Sequence, residues 1–211
     1  DGSGASASAL HAAWSSLTYG KIAGKETLIW GGTDGFCYGY PNKTEKDADG
    51  YDLFMPSWKV DCNEPEYRID KDGKKVPYAT PPGPSELIGT PVLYEEKVYV
   101  AIGQDPEHGD GVGRLSCIDA KNGEVVWKYT DVGRTISTVS VHDDLVYVAE
   151  YAGLIHCLDA NDGKLYWTYD SFSRIWGSTL VAGGKVLLGN EDGDLLILDH
   201  GKAEPKVESV N

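Results

Sequence analysis

Two arginines, Arg134 and Arg174, stand forty residues apart in a chain of 211 residues whose formal net charge is −14. A guanidinium is a planar fork that grips a carboxylate or phosphate through paired hydrogen bonds, so two aimed at one space would clamp an anionic group. Tied instead to acids in their own loops, Asp131 or Asp170, they would only brace those loops. A second concentration of chemistry lies in GQDPEHGDGVG at 103–113, where Asp105, Glu107, His108 and Asp110 crowd four potential ligands into six residues. Such a loop, curled round a hard cation, would suit Ca2+, although the spacing is not that of an EF-hand. The alternative is a solvated turn shaped by Pro106 and the glycines. DADGYD at 47–52 begins like a calcium loop through Asp47, Asp49 and Asp52 but lacks the later bidentate Glu. No GxSxG, HExxH, P-loop or dinucleotide-binding glycine pattern is present.

The elements that position these residues are legible in a repeat. CIDAKNGEVVWKY at 117–129 returns as CLDANDGKLYWTY at 157–169, with Cys, Asp, Gly, Trp and Tyr in step. Around each copy lie four short runs rich in Val, Leu, Tyr and Thr, separated by turn residues; in 136–170 these are STVSV, LVYVAEY, LIHCLDA and KLYWTYD. The same four recur in 88–131, in 176–211 with Val207 in the Trp place, and in 14–62 with Trp58 there. Four-stranded units at about this period predict a β-propeller of twisted antiparallel blades, with a β-sandwich as the weaker reading. The expected organisation is an extension at 1–13, then blades at 14–62, 88–131, 136–170 and 176–211, with a loop insertion at 63–87.

Register then sorts the candidates. Strand direction alternates within a blade, so the D-to-A and B-to-C connections share one face. That face carries the long connection before the second blade and the 103–113 insertion, and long loops on a rigid scaffold are where binding resides. The innermost strands open near Trp14, Ile88, Ile136 and Trp176. Two residues earlier stand Ala12, Glu86, Arg134 and Arg174. His11, Trp14, Glu86, Arg134, Arg174 and Trp176 are therefore the expected ligand-binding residues at the channel mouth.

The pattern D-A-x-[ND]-G-[KE]-x-x-W-x-Y resembles the tryptophan-docking repeats of the PQQ-like (quinoprotein alcohol dehydrogenase-like) β-propellers. The WSS opening at 14–16, the 103–113 loop and WGS followed by EDGD at 176–178 and 191–194 resemble exported bacterial members. The resemblance implies a ring of about seven or eight blades, of which this chain would be part. It also implies a periplasmic or extracellular location, and PQQ or Ca2+ as cofactors if the protein is an enzyme. It makes Trp58, Trp127 and Trp167 structural, docking on the adjacent blade. The dehydrogenases of the family carry an adjacent Cys-Cys pair above the cofactor, whereas Cys37, Cys62, Cys117 and Cys157 are all separate.

The acidic balance argues against nucleic acid as partner, and no apolar run is long enough for a membrane span. The start at Asp1, a Gly/Ser/Ala stretch, reads as a processed, trimmed or partial chain. The reading favoured by these residues is a non-catalytic propeller binding a protein or small ligand on its loop-rich face, its ring completed by further blades or a partner chain. The alternatives are a fragment of a PQQ-dependent dehydrogenase, which would be an oxidoreductase, and a purely structural subunit.

Overall fold

The structure, a computed structural model, describes residues 13–78 and 83–210; His11 and most of the expected N-terminal extension lie outside them. Four four-stranded antiparallel sheets follow one another along the chain. Blade 1 contains β1 (Thr18–Ile22), β2 (Lys25–Gly31), β3 (Phe36–Pro41) and β6 (Trp58–Asp61), with a small hairpin of β4 (Glu45–Lys46) and β5 (Asp52–Leu53) inserted before β6. A single helical turn, α1 (Pro65–Arg68), opens the insertion that follows. Blade 2 contains β7 (Val92–Tyr94), β8 (Lys97–Ile102), β9 (Arg114–Asp119) and β10 (Val125–Tyr129). Blade 3 contains β11 (Ser140–His142), β12 (Leu145–Ala149), β13 (Leu154–Asp159) and β14 (Leu165–Asp170). Blade 4 contains β15 (Leu180–Ala182), β16 (Lys185–Gly189), β17 (Leu195–Asp199) and β18 (Val207–Val210). The first strands of successive blades lie side by side, so the sheets fan out from an axis as an open arc of a β-propeller.

Burial explains the residue types. The central strands of the inner blades are covered on both faces, and β12 accordingly reads LVYVA with every residue buried. The outermost strands β10 and β14 bury little beyond their tryptophan. Three apolar clusters fill the gaps between neighbouring sheets, for example Ile29, Cys37 and Trp58 against Val98, Val100 and Ile118 between blades 1 and 2. At each gap a tryptophan N–H donates to a carbonyl of the next blade at 2.9 Å: Trp58 to Ala120, Trp127 to Ala160, Trp167 to Gly201. An indole buried this deeply needs a polar partner for its N–H, and the repeat supplies one. The glycine of the repeated NG and DG turns has two jobs. Gly163 takes φ +74°, and a Cβ there would lie 2.6 Å from the Trp127 ring, so only Gly both makes the turn and lets the indole close over it.

The inner rim is tied by hydroxyls kept in register. The N–H of Ser16 donates to Thr90 Oγ1 at 3.2 Å, that of Thr90 to Thr138 Oγ1 at 2.9 Å, and that of Thr138 to Ser178 Oγ at 2.9 Å. The ends of the arc differ. The outer side of blade 1 carries an aromatic cluster of Trp30, Tyr38 and Tyr40, packed with Phe54 from the inserted segment. The outer side of blade 4 presents Leu180 and Leu195, both exposed, beside half-buried Leu187 and Ile197.

Candidate functional site

Equivalent hydrogen bonds place Glu86, Arg134 and Arg174 at one position in blades 2, 3 and 4. Their carbonyls accept from the N–H groups of Gly103, Tyr151 and Glu191, each just past the second strand of the same blade. The next residue in each case reaches back to the preceding blade: Leu87 N–H to Gly32 O, Thr135 N–H to Ile102 O, Ile175 N–H to Tyr151 O. The D-to-A connections are thus clamped across each seam, and their side chains are carried by rigid backbone.

Arg134 and Arg174, from consecutive blades, converge on one ring. The guanidinium carbons lie 4.5 and 5.5 Å from the centroid of Tyr151, and Trp176 meets the same ring edge-on at 5.2 Å. Cation–π attraction to the shared ring offsets the repulsion between the two charges. The arginines are not equivalent in what they offer. Arg134 donates to the carbonyl of Gly109 and sits 3.8 Å from Asp110, holding down the 103–113 loop. Arg174 is 60% exposed, its Nε 3.9 Å from Glu191, so most of its donor fork faces solvent. Trp14 and Trp176 are exposed on the same face, as is Phe172, which at 88% exposure and φ +56° juts from the loop before Arg174. Glu86, in contrast, is buried, its backbone paired with Gly103 at the start of the 103–113 loop.

Within that loop, Asp105 is buried. Its carboxylate accepts from the Glu107 N–H at 3.0 Å and from Gln104 Nε2 at 3.0 Å, and meets His108 Nδ1 at 2.8 Å. These contacts cap the short 3₁₀ turn at Pro106–His108. Glu107 is exposed and Asp110 turns toward Arg134, so Asp105, Glu107, His108 and Asp110 do not close round a common point. Asp47 likewise caps its own turn, accepting from the N–H groups of Asp49 and Tyr51. The insertion after blade 1 is pinned by Arg68, bidentate to Asp61 at 2.7 and 2.9 Å and hydrogen-bonded to Tyr78 at 2.6 Å. Beside it, buried Arg114 and half-exposed Lys128 share the carboxylate of Glu64 at 3.1 and 2.6 Å. Burial pushes that carboxyl up, but the two cations outweigh it and hold Glu64 below the ordinary range.

The residues present do not fit PQQ as the resemblance frames it. All four cysteines are buried, and the sequence holds no adjacent pair. Burial pushes the thiol of Cys117 up to about 11 and those of Cys62 and Cys157 to about 12, leaving them protonated and unreactive at neutral pH.

Tyr151 and Phe172 went unmarked in the sequence. The signal for Tyr151 was its place: it lies two residues past β12, where blade 2 carries its long insertion, and so faces the same mouth.

Sheet order, seam hydrogen bonds and repeat register together define the class: four consecutive blades of a β-propeller. Residues 111–206 match the family described as outer membrane protein assembly factor BamB, and the repeats are similar to those of the PQQ-like β-propellers. Among solved structures the chain is similar to BamB from Moraxella catarrhalis, at 15% identity and TM-score 0.63, covering 92% of this chain and 49% of that one. It is similar to a chain of a mitotic checkpoint complex, at 12% identity and TM-score 0.62, covering 92% and 52%. It is also similar to the computationally designed Ika4 protein, at 14% identity and TM-score 0.57, covering 92% and 96%. At these identities the likeness is one of fold, and the chain spans about half the length of the BamB structure. No curated protein matches it in sequence. No helix among the described residues is long and apolar enough to cross a membrane.

Proposed function

We propose that this chain is part of a non-catalytic β-propeller that binds a protein partner on its loop-rich face, an acidic group of the partner seating on Arg174 beside Tyr151 and Arg134. The observation that carries the reading is the convergence of two arginines from consecutive blades on one tyrosine, which exposed Trp176 meets edge-on, with Phe172 exposed in the loop that leads to Arg174. Arg, Trp and Tyr are the residues that dominate protein interfaces, because they combine large contact area with directed donors. Clamped seams pre-organise the patch, so little ordering cost opposes docking. The BamB likeness supports a role in handling other proteins, and with it a periplasmic or extracellular location. Further blades, or a second chain, cover the apolar outer side of blade 4, where Leu180 and Leu195 otherwise face water.

Site-specific photo-crosslinking tests the binding face. A photoreactive residue at Phe172 is compared with one at Lys206, on the opposite side of the blades, in the source cells. A discrete adduct is expected from position 172 alone, and Arg174→Lys should weaken it although charge is kept, because a point donor replaces the fork. Equal labelling from both positions, or full labelling in Arg174→Lys and Trp176→Ala, overturns the reading.

A further inference from the structure

The internal repeat offers a control for every position, and one place departs from it twice. At the residue after the third strand, blades 2 and 3 carry Ala120 and Ala160, both buried, whereas blade 4 carries His200. At the last residue of the first strand, blade 2 has Tyr94 where blade 3 has His142. The two changes meet across the seam between blades 3 and 4, on the face opposite the arginine cluster. The imidazole rings of His142 and His200 lie 5.3 Å apart, tilted by 55°. Between them stands Asp143, the first residue of the hairpin turn, whose Oδ2 is 3.5 Å from His142 Nε2 and 3.7 Å from His200 Nε2.

We propose that His142, Asp143 and His200 form a binding site for a divalent transition metal of the zinc class, bridging blades 3 and 4. Each of the three residues offers one ligand atom, and these atoms all lie within 4.8 Å of one another. Tetrahedral zinc, with bonds of about 2.0–2.2 Å, sets its ligands roughly 3.3–3.5 Å apart, so the site closes on the ion by small side-chain rotations. Two imidazoles and one carboxylate select zinc, copper or nickel over calcium and magnesium, which take all-oxygen sets.

The ligands are oriented as metal ligands are. His200 is largely buried, and its Nδ1 lies 2.7 Å from the hydroxyl of Tyr147, which also accepts from the Gly201 N–H at 3.1 Å. With Nδ1–H donated to Tyr147, the Nε2 lone pair faces Asp143. Such an outer partner fixes tautomer and ring angle. Asp143 is held by its backbone, at φ +47° in a two-residue turn with Asp144 at +58°. His142 and Asp143 are exposed, giving an entry path and leaving the remaining coordination position to water. A bound ion would tie the turn of blade 3 to the C-to-D connection of blade 4.

Calorimetric titration of the full chain with ZnCl2, paired with thermal melts, tests this. One ion per chain is expected, with a rise in Tm, since a ligand of the folded state stabilises it by mass action. His200→Ala supplies the residue that blades 2 and 3 carry at that position and His142→Tyr the one that blade 2 carries, so both should fold. Each should weaken zinc at least tenfold and abolish the Tm rise. Asp143→Asn keeps a residue tolerant of positive φ and should weaken zinc similarly, and Tyr147→Phe should do so by about tenfold through His200. His108→Ala should leave binding unchanged. Absence of stoichiometric binding to the parent, parent-like binding in His200→Ala and His142→Tyr, or loss of binding in His108→Ala would each overturn the proposal.

Discussion

Replacing Trp127 by Ala isolates what holds one blade to the next. The indole is nine-tenths buried between blades 2 and 3, tilted against Tyr99 at 6.0 Å and closed over Gly163. A buried tryptophan removes about 200 Å² from water, which at about 25 cal/mol per Å² sets an upper bound near 5 kcal/mol. Truncation costs for large aromatics in cores run about 3–5 kcal/mol. The hydrogen bond adds little to this, because the Ala160 carbonyl that accepts from Trp127 also accepts from Tyr99 Oη at 3.0 Å and is not orphaned. Trp127→Phe, which keeps most of the packing and loses the N–H, should therefore cost only about 1–2 kcal/mol. Adding Tyr99→Phe removes the second donor, and the pair should cost more than the sum of the two alone, by about 1 kcal/mol or more. Urea denaturation followed by far-UV circular dichroism and tryptophan fluorescence measures the parent and the four variants. A Trp127→Ala variant unfolding at the parent's midpoint would refute the assignment of this tryptophan to the seam. Strict additivity in the double variant would refute the shared-carbonyl argument.

Gly163→Ala, with a Cβ forced to 2.6 Å from the indole at φ +74°, should lose more than 2 kcal/mol, whereas Gly183→Ala, at φ +58° with open space around it, should lose only the backbone strain of about 1–2 kcal/mol; chemical denaturation separates the two. Glu64 has its pKa lowered in the folded protein, so its contribution is present above the ordinary carboxyl value of 4.5 and is lost as pH falls through the folded value below that. In Glu64→Gln, stability measured by acid titration should accordingly vary less with pH below about 4.5, while near neutrality the protein should be weaker by about 3–5 kcal/mol because buried Arg114 loses its carboxylate.

The fold was legible because the repeat states the same solution four times. Asp119 and Asp159 open the turn, Gly123 and Gly163 complete it, and Trp127 and Trp167 report a neighbour to dock on. The hydroxyls at Ser16, Thr90, Thr138 and Ser178 were visible as residues, but their ladder was not, since sequence register says nothing of which blade supplies the acceptor. The same limit governs the site. Equal spacing marked Arg134 and Arg174 as equivalent, yet their separate fates follow from contacts across seams: Arg134 is drawn to Gly109 in the loop of blade 2, and Arg174 leans on Tyr151 of blade 3. Glu86 holds the equivalent backbone position and is nevertheless buried, in the blade that carries the 103–113 insertion. The Arg114, Glu64 and Lys128 group joins residues fifty and sixty-four apart, a pairing that no local pattern encodes.

The binding claim is tested most directly by hydrogen–deuterium exchange on the protein alone and in complex with the partner captured from position 172. Protection is expected in 103–113, 132–135 and 171–177, the segments that carry Arg134, Arg174, Phe172 and Trp176. Protection confined instead to the hairpin turns at 23–24, 95–96, 143–144 and 183–184, on the opposite face, would contradict it.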